Sequence, residues 1–165
     1  MNRSLVEMLE YNEWANRELF EACVPLGDDE LDAHAPGVSG SVRELLLHIA
    51  GGQQTFILRT KGRQHEGELT RLSEWPGYDS LLATVADTDA ELIAIARELD
   101  DAELIDLPYE GETYRFPKRF FLVHAIEHSA EHRTEVKVAL NSLGVKTPDL
   151  DGWFYATSKG YGQKI

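Results

Sequence analysis

The sequence predicts an all-α protein: a four-helix bundle with a long crossover connection and a small hairpin before the last helix. Three observations carry that expectation. Four stretches of about 20 residues repeat apolar side chains at helical spacing. Glycines and prolines punctuate the chain between them. No internal repeat or low-complexity segment breaks the pattern, so the 165 residues read as a single domain, 1–165, long enough for an ordinary hydrophobic core.

The first helix is expected from about Ser4 to Val24, with Leu5, Leu9, Ala15, Leu19 and Ala22 on its apolar stripe and Pro25 and Gly27 stopping it. A loop follows, in which Asp28 is placed to cap one short turn and Ala35-Pro36-Gly37-Val38-Ser39-Gly40 forbids regular structure. Ser41-Val42-Arg43-Glu44 has the spacing of a capping box and opens the second helix, which carries Leu45, Leu46, His48, Ile49, Phe56 and Ile57. After a polar break containing Gly62 and Gly67, the third helix starts near Asp79 and runs through Leu82, Val85, Leu92, Ile95 and Ala96 to about Leu99. Two short alternating runs between Leu104 and Phe116, joined at Glu110-Gly111, predict the hairpin. Pro117 suits the first turn of the fourth helix, and Gly144 followed by Pro148 closes it.

Composition narrows the function. Sixteen basic against 29 acidic side chains give a net charge of -13, which repels phosphate backbones and anionic lipid, so neither nucleic acid nor membrane is an expected partner. No apolar run spans a bilayer, and Glu7 interrupts the amino terminus before a signal-peptide apolar region forms, which favours the cytoplasm. The single Cys23 has no partner for an internal disulfide and reads as a small buried hydrophobe.

The chemistry concentrates in His124-Ala-Ile-Glu-His128-Ser-Ala-Glu-His132, three of six histidines on one helix. Steps of four stack side chains on one face, so two imidazoles can converge on one ion, but the outer two stand roughly 12 Å apart along the axis and cannot both do so. With His128 set at zero and about 100° per residue, Phe121, Ala125, Val136, Ala139 and Leu143 fall on an apolar arc that includes His132. His124 falls on the other side, with Glu131 and Glu135. The expected pair is therefore His128 and His132. Bundles build sites between facing helices, and His48, one turn from the space left by Gly52, is the third ligand this selects. His34 and His65 stand in polar loops and read as solvated.

Three segments, Tyr11-Asn12-Glu13-Trp14-Ala15-Asn16, Gly40-Ser41-Val42-Arg43-Glu44-Leu45-Leu46-Leu47-His48-Ile49 and His128-Ser129-Ala130-Glu131-His132-Arg133-Thr134-Glu135-Val136, resemble the DinB/YfiT-like family of metalloenzymes, as does the ending Leu143 to Asp151. The resemblance spans nearly the whole chain. It implies a four-helix bundle with a long crossover and one divalent metal, held by a histidine of the second helix and two residues of the fourth. Carried over, these are His48, His128 and His132. Members often have Gly-Gln after the arginine that follows the last histidine, where this chain has Thr134-Glu135.

Three neutral imidazoles leave a coordination position open, the arrangement of a catalytic rather than a structural ion. Histidine ligands suit zinc, nickel, iron and copper alike, and availability decides among them; zinc or nickel is the expected ion, with iron a third choice. Relatives that use a low-molecular-weight thiol such as bacillithiol or mycothiol suggest a thiol S-transferase or thiol-dependent isomerase acting on a small electrophile. Metal-assisted hydrolysis is the rival, because His128-Ser129-Ala130-Glu131-His132 matches the His-x-x-Glu-His order of inverted zinc peptidases; no glutamate follows Glu135 to complete their ligand set, and Glu131 reads instead as a surface or imidazole-orienting residue. A non-catalytic metal-binding stress-response module is a further reading. Trp14 and Asn12 are candidate cleft residues, Trp14 equally reading as core and Asn12 as solvent-facing. Trp153, Phe154 and Tyr155 either cover an apolar face in a two-fold homodimer or fold back to cap the bundle.

Overall fold

A computed structural model describes residues 2–63 and 75–162. Eight elements follow in chain order: α1 (Arg3–Cys23), α2 (Asp28–Leu31), α3 (Val42–Thr60), α4 (Tyr78–Glu98), β1 (Leu104–Tyr109), β2 (Glu112–Pro117), α5 (Lys118–Ser142) and α6 (Gly152–Ser158). The four long helices are the four the periodicity predicts. The starts of α1 and α3 follow from side chains that satisfy the free N–H groups of a first turn, whereas Gly77 and Pro117 precede α4 and α5 without a side-chain cap. The Asn2 side chain accepts from Leu5 N. Ser41 and Glu44 close both arms of the capping box, at 3.2 and 2.8 Å. Asp28 does not cap the short turn as expected: it is the first residue of α2, and Gly27 takes the cap position, its N–H donating to Glu30 Oε2. Pro117 likewise ends β2, paired with Leu104, and stands just before α5 rather than inside its first turn.

Helices α1 and α3 each pack on both α4 and α5, so they stand opposite one another in the bundle. The segment from 24 to 41, with α2 in it, is the crossover that carries the chain from one to the other. The hairpin connects α4 to α5. Its turn holds Glu110 at φ 49° and Gly111 at φ 82°, the two positive values that match the twist of a two-residue connection. At the far end Gly144, at φ 75°, ends α5.

The terminal aromatic segment folds back. Asp151 caps α6 by accepting from Trp153 N and Phe154 N. Tyr155 is buried with its ring 5.4 Å from Tyr11 and 5.6 Å from Trp14, and Tyr11 Oη donates to Leu150 O at 2.5 Å. Trp153 stays 82% exposed. Leu143, expected on the apolar arc of α5, is 44% exposed because the helix has already ended there.

The buried apolar residues form two clusters, one around Leu19, Phe20, Leu46, Ile49, Val85 and Leu140, the other around Leu5, Leu9, Ile57, Leu92, Leu122 and Ile126. Between them, at the same level on every long helix, lies a layer of buried polar side chains: Asn12 and Asn16 on α1, Gln53 on α3, Thr88 and Asp89 on α4, Ser129 and Arg133 on α5. The three histidines expected to bind metal belong to the same level of α3 and α5. Cys23 is fully buried, and burial pushes its thiol up to about 12, which keeps it from acting as a nucleophile. Among the described residues no helix is long and apolar enough to cross a membrane.

Candidate metal centre

His48 leaves the flank of α3 between the buried Leu45 and Ile49 and points at α5. Its Nε2 lies 3.0 Å from His128 Nε2. The ring of His132 is 4.5 Å, centroid to centroid, from those of both His48 and His128. One ring nitrogen of each of the three lies within 4.8 Å of the others. Nitrogen ligands about 2.0–2.1 Å from a tetrahedral ion stand roughly 3.3 Å apart, so the cluster has the dimensions of a coordination shell.

The surroundings keep the His128 ring neutral, as a ligand must be. Burial, then the like charges His132, His48 and His124 would carry, holds His128 down at about 3. His128 Nδ1 is buried without a hydrogen-bond partner. The ring is seated by the absence of a side chain at position 52, where a Cβ would lie 2.5 Å from His128 Cε1 and 2.9 Å from Nδ1. Phe56, one turn further along α3, packs edge-on against it at 5.4 Å.

His132 is oriented differently. Its Nδ1 lies 2.6 Å from Glu135 Oε2, and that carboxylate also accepts from Ser39 N and Ser39 Oγ, both at 2.9 Å. Partial burial pulls the Glu135 carboxyl upward, but the bonds from His132 and Ser39 outweigh it and hold it below the ordinary range. The carboxylate serving a histidine here is therefore Glu135, which the helical wheel places with the polar residues, while Glu131 is exposed.

His124 is left out of the cluster, as the 12 Å argument requires, yet its surroundings are not the polar ones expected. Its ring lies 4.5 Å from Phe56 and 5.6 Å from Phe120. A wheel of α5 alone cannot show an aromatic side chain arriving from α3. His34 is exposed; His65 lies outside the described residues.

Behind the histidines the polar layer is continuous. Arg133, next in sequence to His132, donates to Asn12 Oδ1 at 2.6 Å and Asn16 Oδ1 at 2.5 Å. The amides of Asn12 and Asn16 in turn donate to Asp89, at 3.0–3.2 Å, as does Gln53 from beside Gly52. Thr88 Oγ1 donates to Gln53 Oε1 at 3.0 Å. Burial raises Asp89 to about 6 against the pull of these amides, and lowers Arg133 to about 10. Asn12 thus faces neither solvent nor a cleft, and Trp14 is core. A sequence signal for the layer exists: Asn12 and Asn16 interrupt the stripe Leu5, Leu9, Leu19 at its own spacing, where a polar residue must find a buried partner.

The family model for the DinB family matches residues 1–164. The crystal structure of a DinB-like protein from Bacillus cereus superposes with a TM-score of 0.67 at 19% identity, over 90% of this chain and 96% of that one, a likeness of fold. No curated protein matches the sequence.

Proposed function

This chain belongs to the DinB family, and from that membership together with its imidazole cluster we propose a one-metal enzyme in which His48, His128 and His132 hold a divalent ion, zinc or nickel before iron, and a low-molecular-weight thiol is added to a small electrophile. The observation that carries the reading is the convergence of three imidazole nitrogens from two helices within 4.8 Å, with no carboxylate in the set. When bound, such an ion supplies a positive charge that lowers the pKa of a water or thiol taking an open position. The chain's own residues do the rest. Gly52 leaves the volume His128 occupies, Glu135 orients His132, and Phe56, His124 and Phe120 line the α3–α5 seam beside the cluster with aromatic surface suited to an uncharged electrophile. The attacking sulfur must come from a cosubstrate, because Cys23 is buried with a raised pKa.

Two features disfavour hydrolysis by the peptidase pattern. Glu131 is exposed, with no hydrogen bond among the described residues holding it at the histidines, and Glu135 is already committed to His132 and Ser39, so neither is positioned as a general base. The test is an assay of the metal-restored protein on epoxides and activated haloaromatics, with and without bacillithiol or mycothiol, beside ester and amide substrates. Thiol-dependent consumption of an electrophile, absent in His48→Ala, is expected. Ester or amide turnover that needs no thiol would contradict the reading.

A further inference from the structure

We propose that Glu135 is a positioning residue which fixes His132 in the Nδ1–H tautomer, presents its Nε2 to the ion, and ties that ligand to the start of the helix carrying His48. The inference rests on the three-histidine metal reading above. Its own support is the hydrogen-bond set. A carboxylate only accepts, so a neutral His132 whose Nδ1 lies 2.6 Å from Glu135 Oε2 must carry its proton there, leaving the Nε2 lone pair for the cluster. Ser39 supplies both remaining donors, its N–H to Oε1 and its hydroxyl to Oε2. The carboxylate is thereby held by a loop that does not belong to its own helix. Ser39 stands two residues before Ser41, the cap of α3, so Glu135 joins His132 on α5 to the amino end of the helix that carries His48. Glutamine, the residue that family resemblance leads one to expect here, can accept the same proton through its amide oxygen but carries no charge, and its NH2 cannot accept from the Ser39 N–H as the second carboxylate oxygen does. A carboxylate is therefore the stronger acceptor for the His132 Nδ1–H than glutamine would be.

The full chain is compared with Glu135→Gln, Glu135→Ala and Ser39→Ala. Long-range proton–nitrogen NMR of the metal-free proteins reads the tautomer of His132, Co2+ titration followed by its visible absorption reads affinity and ligand geometry, and metal-free thermal melting checks the fold. His132 is expected as Nδ1–H in the wild type and as a mixture in Glu135→Ala. Co2+ affinity is expected to fall about 10-fold in Glu135→Gln and up to about 100-fold in Glu135→Ala, with a few-fold loss in Ser39→Ala, while metal-free melting stays within a few degrees. Equal Co2+ affinity in the wild type and Glu135→Ala, or a wild-type His132 protonated at Nε2, overturns the proposal. A wild type that takes up no Co2+ overturns the metal reading, and the tautomer then decides the orienting role separately.

Discussion

Replacing Arg133 with Met lowers the stability of the folded protein by about 3–5 kcal/mol, the range for removing one partner from a buried charged network. Arg133 is 3% exposed and supplies the donors to Asn12 Oδ1 and Asn16 Oδ1. Methionine fills much of the volume but leaves both oxygens unpaired, each costing on the order of 1–3 kcal/mol, and removes the cation that faces Asp89 through one amide. The loss depends on pH. Asp89 is raised by burial from 3.8 to about 6 in the fold, so its share of stability is fully present below about 4 and is lost as pH rises through 6. Without Arg133 the carboxylate is harder still to ionise. The deficit of the variant is therefore largest above pH 6 and shrinks toward pH 4, where Asp89 takes up its proton. Urea unfolding of both proteins at pH 4.5 and 7.5 checks this, and an equal deficit at the two values would show that Arg133 does not act through Asp89.

Gly52→Ala produces the opposite separation: metal binding is lost while the fold survives. In the interior of a helix alanine is favoured over glycine by about 1 kcal/mol, so propensity alone makes α3 more stable. The new methyl would lie 2.5 Å from His128 Cε1, however, too close for the ring to stay. The least costly escape is rotation of His128 about its own side-chain bonds, which spares the backbone and breaks the ligand set. Affinity for a divalent ion is expected to fall at least about 100-fold, with the metal-free melting temperature equal to or slightly above that of the wild type. Calorimetric titration with Zn2+ beside a thermal melt reads both. Unchanged affinity would mean that His128 binds nothing.

What was legible in the sequence, and what was not, follows from where the determining contacts lie. Helix positions, the capping box of Ser41 and Glu44 and the Glu110-Gly111 turn depend on residues within about four of each other, and the structure bears them out. Spacing along α5 excludes a third ligand from that helix and only α3 offers another histidine at an apolar flank, which singles out His48, His128 and His132; the structure brings those three rings together. The polar layer escaped the same reasoning. Asn12 reads as polar and hence exposed until Asp89, 77 residues away, and Arg133, 121 residues away, are known to meet it. The partners of His124 and Glu135 are hidden for a related reason. A single-helix wheel reports polarity around an axis, while Phe56 arrives from α3 and Ser39 from the crossover.

The polar layer also helps α3 and α5 keep three ligands in register. Gln53 and Arg133 neighbour Gly52 and His132 in sequence, and both are anchored, through Asp89 and the asparagines, to α1 and α4. Sliding α3 against α5 by one turn would break those bonds and bury their donors unpaired, a penalty that apolar packing alone would not impose.

The most direct test of the account is the metal content, by elemental analysis, of tag-free protein purified without chelator, for the wild type and for His48→Ala, His128→Ala, His132→Ala and His124→Ala. The account predicts close to one first-row divalent ion per chain in the wild type and in His124→Ala, and loss of that ion in the other three. Retention of the ion in His48→Ala, or its absence from the wild type after metal is supplied, would contradict it.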